Sequence, residues 1–359
     1  MTQKRLHYLD MAKGIGIILV VTGHSGMGSE GLLSWLSSFH MPLFFVISGM
    51  LLFHRKEESL PLMESIRKKA KSILIPYSFF SLIYLVIDLY YIAIKHQELS
   101  LPDAALQTIS FYGISVLWFL PTLFAGEVLF LLIRKKSNNL VTFVLCGSLC
   151  LSGIFCANLY AACYHPASGL LFFVWLGYLI QTAIRAAIAT AFLAVGYYTM
   201  LLLAKISAAV ENSVKEPLIR LIDLVSASLF FAVNLWIVRI NGGADLRSLT
   251  LHNPALYFAG SLTGSLAVVF LCKALPRLRL LSYLGANSLI IMVTHLDCRV
   301  MLISHKFAGL VSRYVDNRYL FLFNIAISLL LMELVIIYVV NRWFPFVLGR
   351  KRPSGTTGS

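Results

Sequence analysis

The sequence predicts an all-α protein, a polytopic bundle of ten or eleven transmembrane helices. Its 359 residues are 58% hydrophobic and only 13% charged, whereas a soluble domain carries about 25% charged residues. The mean hydropathy is +0.81. Apolar runs recur along the whole chain, and basic and charge-poor loops alternate between them. Together these features favour a membrane protein over a soluble one.

A single membrane domain over residues 1–348 is expected. The longest polar gaps, at 55–70, 207–220 and 241–254, are too short for a separate soluble domain. We interpret the basic N-terminal segment as the start of the first helix and not as a cleavable signal peptide, because it lacks a small-residue cleavage site. Residues 349–359 are predicted to form a polar cytoplasmic tail. The six cysteines have no zinc-ligand spacing, so no metal is expected.

Eleven apolar runs are the candidate spans. Six lie at about 11–28, 39–53, 73–94, 116–133, 140–157 and 169–184, and five more at 186–204, 224–240, 255–274, 284–303 and 319–340. Eleven complete crossings would place the basic segment 273–279 on the outer side, against the positive-inside rule. We therefore prefer ten, with one of the two runs between 186 and 240 not crossing fully, or with an irregular local topology.

The loop charges predict an orientation in the cell membrane. Basic loops at 54–72 and 134–139 face the cytoplasm, and charge-poor loops at 27–38 and 157–168 face outward, so both termini are cytoplasmic. The net charge of +14 arises mostly from such loops. Because no continuous basic surface with interleaved aromatic residues is found, nucleic acid is not an expected partner.

Residues 5–24, RLHYLDMAKGIGIILVVTGH, join a charged start to an apolar run that ends on a histidine. Lys13 and His24 are separated by 11 residues, which on a helix is roughly 1100° and a rise of about 16 Å. Both side chains therefore share one face, with the imidazole deep in the bilayer. An ionisable residue within a span is a functional candidate; the alternative is a packed, hydrogen-bonded histidine.

Two more histidines are predicted at a similar depth. His40 is the second residue of the second span, and His295 lies about 11 residues into the run at 284–303. A neutral imidazole is a good general base near pH 7, although a helix cap or an interhelical hydrogen bond would also use one. Glu127, inside the fourth span, needs a partner or a proton, and Lys13 or a histidine could be that partner.

Five sequence blocks stand in order along the chain. They are the segment 5–24, FHMPLFFVISG at 39–49, KKAKSILIPY at 68–77, LWFLPTL at 117–123 and GANSLIIMVTH at 285–295. Together they resemble the membrane-bound acyltransferase 3 family over about residues 5–345. The resemblance implies a ten-span core and transfer of an acyl group, usually acetyl from acetyl-CoA, to hydroxyls of cell-surface sugars.

The residues and the resemblance together suggest candidate roles. Lys13 and His24 match the family's defining motif, with His24 as the general base or acyl relay, and His295 and Glu127 are further catalytic candidates. The candidates for substrate binding are His40, Trp118, Asn287, Ser288, Arg5 and Asp10. A helix N-cap explains Asn287 and Ser288 equally well. Arg5, Asp10 and Lys13 could form an ion-pair network that holds the first span. Contact with the donor's phosphates is an equally good interpretation of these residues.

Arg67, Lys68 and Lys71 could hold the phosphates of coenzyme A, although the positive-inside rule alone explains these charges. The expected partners are acyl-CoA, a glycan or lipid-linked sugar, and membrane lipids. The rival function is a proton-coupled secondary transporter or a glycan exporter. A nucleotide-driven pump is disfavoured, because the chain has no GxxxxGK[ST] loop.

Overall fold

A computed structural model describes residues 5–26, 28–163, 171–210, 215–312 and 318–350. Within these ranges the chain forms thirteen α-helices and no β-strand, which confirms the all-α prediction. The helices are α1 His7–His24, α2 Glu30–His54, α3 Leu62–Lys95, α4 Leu101–Ile109, α5 Phe119–Lys136, α6 Asn139–Cys163, α7 Leu171–Val210, α8 Glu216–Asn241, α9 Pro254–Ala274, α10 Arg279–Ala286, α11 Ser288–Thr294, α12 Val300–Ser312 and α13 Arg318–Trp343. The end of the predicted polar tail and part of the predicted loop at 157–168 lie outside the described residues.

Eight of the described helices are long and apolar enough to cross a membrane. They are α2, α3, α5 with the short 3-10 turn before it, α6, α7, α8, α9 and α13. The protein is therefore a multi-pass membrane protein. Two regions account for the difference from ten spans: α1, which begins with charged residues, and the short helices α10 to α12. The difference from eleven also includes the runs at 169–184 and 186–204, which form the single helix α7.

Helix α7 corrects the predicted boundary between the spans at 169–184 and 186–204. It runs unbroken for 40 residues, or about 60 Å. The residue that separates the two apolar runs, Arg185, is fully buried within the helix and does not lie in a loop. The run at 186–204 is thus the second half of α7. An alanine-rich stretch without proline follows Arg185 and keeps the helix continuous.

The run at 284–303, predicted as one span, is instead broken twice. Helix α10 ends at Ala286, where Asn287 turns its side-chain amide onto the carbonyl of Tyr283 at 2.9 Å. Helix α11 then covers only seven residues and stops before a turn in which Arg299 has a φ of +64°. A hydrophobic run does not reveal such breaks, because they depend on local side-chain capping and on one strained backbone position.

The chain divides into two compact units. The first contains residues 1–65 and 125–288, and the second contains residues 66–124 and 289–359. In the first unit α2 and α7 approach so closely that a Cβ on Gly49 would collide with the Leu193 carbonyl, and one on Gly196 with the Val46 carbonyl. Small residues permit this backbone contact between membrane helices.

In the second unit, tyrosine hydroxyls bond to backbone carbonyls from separate elements. The Tyr84 hydroxyl donates to the Val293 carbonyl at 2.6 Å, and Tyr77 donates to the Thr108 carbonyl at 2.7 Å. Each bond satisfies a buried polar group that would be costly in an apolar interior. These bonds tie α3 to the segment that ends α11 and to α4.

Candidate active site

His24 is the last residue of α1, and its side chain is exposed. The helix ends there because Ser25 bonds back to the Thr22 carbonyl at 2.7 Å and Gly26 has a φ of +68°, a conformation that glycine adopts readily. Helix α1 therefore begins and ends four residues earlier than the predicted span at 11–28. The predicted depth of the imidazole in the bilayer stays a prediction. The ring donates a hydrogen bond to the backbone of Val20, one turn earlier.

His40 lies on α2 near His24, close enough for the two rings to interact electrostatically. Its Nδ1 lies 2.5 Å from the Leu36 carbonyl oxygen. A carbonyl can only accept, so Nδ1 carries the hydrogen, and Nε2 of the neutral ring is left as an acceptor. The predicted start of this span at residue 39 is wrong, because Ser29 caps a helix that begins at Glu30. His40 therefore lies about three helical turns into α2 and is not the second residue of the helix, as predicted.

The loop between α8 and α9 brings charges to these histidines. Its backbone closes on itself where Asp245 and Thr250 exchange hydrogen bonds of 2.8 and 3.0 Å. The Asp245 carboxylate accepts from the backbone N–H of Arg247 at 2.8 Å. The charges of Asp245 and Arg247 act on the His24 ring, and Asp245 also acts on His40. Sequence reasoning missed both residues, since the region was read only as a polar gap.

Arg185 anchors this loop from α7. Its guanidinium Nη2 donates to the backbone carbonyl of Arg247 and lies 3.4 Å from Oε1 of Gln181. The side chain is fully buried. The sequence did carry a signal for it, because a lone arginine within a long apolar run is a functional candidate by the rule applied to His24.

At the other end of α1, Asp10 forms two ion pairs. Its Oδ2 lies 2.5 Å from Arg5 Nε, and its Oδ1 lies 2.9 Å from Lys13 Nζ. The predicted ion-pair network is therefore present. Lys13 is separated from His24 by 11 residues, or about 16 Å along the helix, so the pair shares a helix but not a contact. Any role of these residues toward a donor stays a prediction.

The same end of α1 packs directly against α10. A Cβ on Gly14 would collide with the Leu281 carbonyl, and one on Gly285 with the Asp10 carbonyl. This contact places residues 285–288 (GANS) beside the ion pairs of α1. Asn287 closes α10 and Ser288 opens α11. Asn287 and Ser288 therefore lie at helix ends, as the helix-cap alternative predicts, although Asn287 caps the C-terminal end of α10 and not an N-terminal end.

Glu127 is buried on α5. The adjacent Gly126 carbonyl lies 3.5 Å from the Thr190 hydroxyl, and a Cβ on Gly126 would touch Ala189. The carboxyl group therefore belongs to the packed interior of the first unit. Lys13, one of its predicted partners, pairs with Asp10.

The family model described as "Acyltransferase domain" matches residues 6–349. The chain belongs to the acyltransferase 3 family. No curated protein and no solved structure matches it significantly. The family assignment and the membrane-helical fold together make the protein an integral membrane acyltransferase and favour this function over the transporter alternative.

The acyltransferase carries its remaining predicted site residues in the second unit. His295 is fully buried between α11 and α12, with Nδ1 2.8 Å from the Ile291 carbonyl. Trp118 is buried in the turn before α5 and meets the Phe119 ring edge-on at 6.2 Å. Arg67, Lys68 and Lys71 are exposed on the first turns of α3. Their predicted roles remain predictions.

Proposed function

We propose that this acyltransferase moves an acetyl group from acetyl-CoA to a hydroxyl of a cell-surface or secreted glycan. One observation supports this most. His24 is exposed at a helix end, where the charges of Asp245 and Arg247 act on its ring and where its ring and that of His40 interact electrostatically. A neutral imidazole with one ring nitrogen donating to a carbonyl keeps its other nitrogen as a base. An acceptor hydroxyl needs such a base to attack a thioester.

The proposed chemistry balances without an added reactant. His24 removes the hydroxyl proton while the acceptor oxygen bonds to the acetyl carbonyl carbon. The carbon–sulfur bond of acetyl-CoA then breaks, and the coenzyme A thiolate takes up the proton that His24 removed, which regenerates the neutral imidazole. The products are the acetyl ester and coenzyme A. Negative charge develops on the carbonyl oxygen before the bond breaks, and a cation such as Arg247 would stabilise that charge.

The donor is proposed to bind from the cytoplasm. Arg67, Lys68 and Lys71 present three exposed cations on one end of α3, and coenzyme A carries several phosphates that such cations attract. In this orientation both termini and the α3 cations lie on the cytoplasmic side of the cell membrane, and the acceptor arrives from the opposite side.

Acetyl-CoA turnover by the purified protein tests the proposed function. The protein would be placed in liposomes with radiolabelled acetyl-CoA and a panel of glycans. We expect release of coenzyme A and a base-labile acetyl ester on a glycan, identified by mass spectrometry. A protein that moves glycans across the liposome membrane while acetyl-CoA stays intact would be a carrier and would contradict the proposal.

A further inference from the structure

Arg185 is a fully buried cation in the middle of α7, within the first unit. Withdrawing a guanidinium from water inside a membrane helix is costly, and an apolar side chain of similar volume would fill the same space without that cost. Packing alone therefore does not account for an arginine at this position. The groups that it bonds indicate what the guanidinium contributes.

The Arg185 guanidinium ends a row of hydrogen bonds that joins α6, α7 and the loop between α8 and α9. The Tyr160 hydroxyl on α6 accepts from Gln181 Nε2 at 2.9 Å, and Gln181 Oε1 lies 3.4 Å from Arg185 Nη2. The same Nη2 donates to the backbone carbonyl of Arg247 in the loop. Because each side chain in the row is oriented by its neighbour, the last bond is held in a fixed direction.

The loop also holds Arg247 from the opposite side of its main chain. Asp245 Oδ1 accepts from the Arg247 backbone N–H at 2.8 Å, and Asp245 Oδ2 accepts from the Ser248 backbone N–H at 3.2 Å. The neighbouring side chains of Leu246 and Leu251 are buried. Both polar groups of the Arg247 main chain are therefore bonded, which fixes the point from which its side chain extends.

The side chain of Arg247, in contrast, keeps its hydrogen-bond donors for a ligand. Asp245 is the acidic residue of the loop, and its two oxygens accept from backbone N–H groups. Among the residues that the structure describes, no carboxylate forms an ion pair with the Arg247 guanidinium. The charge of Arg247 acts on the His24 ring more strongly than that of Asp245 does. The loop thus presents a fixed cation at the proposed base.

We propose that Arg185 is a positioning residue of acyl transfer, which holds the Arg247 carbonyl so that the Arg247 cation faces the carbonyl oxygen of the reacting acyl group. This inference rests on the proposed function and adds to it the residue that orients its cation. A cation stabilises a developing oxyanion most when it is fixed beforehand, because no reorientation is then needed at the transition state. Arg185 acts through Arg247 and not on the substrate.

The rates of Arg185→Gln, Arg247→Gln and the double variant test the proposal, in full-length protein in liposomes with radiolabelled acetyl-CoA and the panel of glycans. Each single substitution should lower kcat at least about tenfold, since the cation at the oxyanion is lost or misplaced, and leave the KM for acetyl-CoA unchanged. The kcat of the double variant should lie within about twofold of that of Arg247→Gln. Arg185 has nothing to position once the Arg247 cation is absent.

Arg220→Gln is the control for the loss of an arginine. Its side chain is 51% exposed on α8 of the same unit, so this variant should keep the wild-type kcat. Arg185→Lys is the second variant if Arg185→Gln does not fold. Lysine keeps a buried cation that can donate to the loop carbonyl but lacks the planar fork of arginine. Its smaller fall in kcat should likewise disappear in the Arg247→Gln background.

Hydrogen exchange of the loop gives a measurement that needs no catalysis. The backbone groups of Asp245 and Thr250 bond to each other across the loop. In Arg185→Gln, peptides that cover 245–250 should exchange about tenfold faster, because a buried hydrogen bond to the loop is lost. Peptides around Gly49, which packs against the Leu193 backbone, should keep the wild-type rate, since the helix bundle stays folded.

Falls in kcat that multiply in the double variant would overturn the proposal, because Arg185 would then act independently of Arg247. An unchanged kcat in Arg185→Gln, or an unchanged exchange rate of the loop, would overturn it too. These results leave the proposed function intact if the wild type transfers acetyl groups. If the wild type does not consume acetyl-CoA, the proposed function fails, and hydrogen exchange still decides whether Arg185 holds the loop.

Discussion

Among the histidines that the structure describes, at least four share one local bond, so that bond alone does not mark a catalytic residue. His24, His40, His295 and His305 each direct a ring nitrogen to the backbone one helical turn earlier. What separates them is their surroundings. His295 is fully buried, whereas His24 is exposed and the charges of Asp245 and Arg247 act on its ring. Accessibility together with nearby charge is what makes His24 the best candidate base.

In the second unit, the carboxyl group of Glu333 on α13 has more acceptor oxygens near the Thr294 hydroxyl than that hydroxyl has hydrogens. Its two carboxyl oxygens lie 3.1 and 2.9 Å from the Thr294 hydroxyl, which also donates to the Ile290 carbonyl at 2.8 Å. One hydroxyl has one hydrogen and cannot satisfy all three acceptors. A hydrogen on the Glu333 carboxyl would let Glu333 donate to the Thr294 hydroxyl while that hydroxyl donates to the Ile290 carbonyl, so two of the three contacts would be hydrogen bonds.

We therefore predict that Glu333→Gln is tolerated, because its amide supplies that second donor. Thr294→Val keeps the shape but removes the partner of a buried carboxyl, and it should lower the free energy of unfolding by about 1–3 kcal/mol. Unfolding in detergent, followed by circular dichroism, measures both variants. A Gln variant as unstable as the Val variant would show that the carboxyl carries no donor hydrogen.

At the scale of helices, the contact between α1 and α10 depends on the absence of side chains. We predict that Gly14→Ala disrupts it, because the added Cβ meets the Leu281 backbone and neither helix can yield locally. The expected loss is about 1–3 kcal/mol of unfolding free energy. The control is Gly23→Ala on the same helix, where a Cβ meets nothing within 4 Å.

The control should be neutral or more stable by up to about 1 kcal/mol, since alanine favours helix. Thermal melts of both variants in one detergent provide the comparison. If the two substitutions have equal effects, the close approach of α1 and α10 does not exist in solution.

The sequence predicted helices better than it predicted their ends. The apolar runs at 116–133, 140–157, 224–240 and 255–274 all appear as helices, because a long apolar run in lipid must satisfy its backbone internally. Hydropathy could not join the runs on either side of Arg185, since a buried arginine and a loop arginine have the same hydropathy. Nor could it find the breaks after Ala286 and Thr294, which are set by caps and backbone strain.

The candidate site was predicted in part for the same reason. His24 and His40 were found as titratable residues in apolar runs, and the structure brings them together. The charges of Asp245 and Arg247 reach them through a long-range approach of the α8–α9 loop. No local pattern in the sequence encodes that approach.

At the scale of the whole molecule, the proposed orientation can be tested by labelling. Cysteines would replace Leu32 and Leu278, both exposed, one at a time in a cysteine-free protein. We expect an impermeant maleimide to label position 32 and not position 278 from outside intact cells, because basic segments stay cytoplasmic. Labelling at position 278 and not at position 32 would show that the orientation is opposite to the proposed one.

The proposed donor site gives a kinetic prediction. Replacing Lys68 and Lys71 together with glutamine should raise the KM for acetyl-CoA more than it lowers kcat, as expected for ground-state contacts. Added salt should weaken wild-type donor binding, because exposed charges are screened. Lys205→Gln, at an exposed position of α7, is the control. An unchanged KM in the double variant would leave the lysines a topological role only.

In the proposed reaction His24 takes the acceptor's proton, and the acetyl transfer rate of His24→Gln in liposomes tests this role. Glutamine keeps the size and hydrogen bonding of histidine but cannot accept a proton. We predict a fall in kcat of at least about 10²-fold, the usual scale for a lost general base, with the melting temperature unchanged. His305→Gln, which alters a histidine with the same backbone bond, should retain the wild-type rate. Transfer by His24→Gln at near the wild-type rate would show that His24 is not the base.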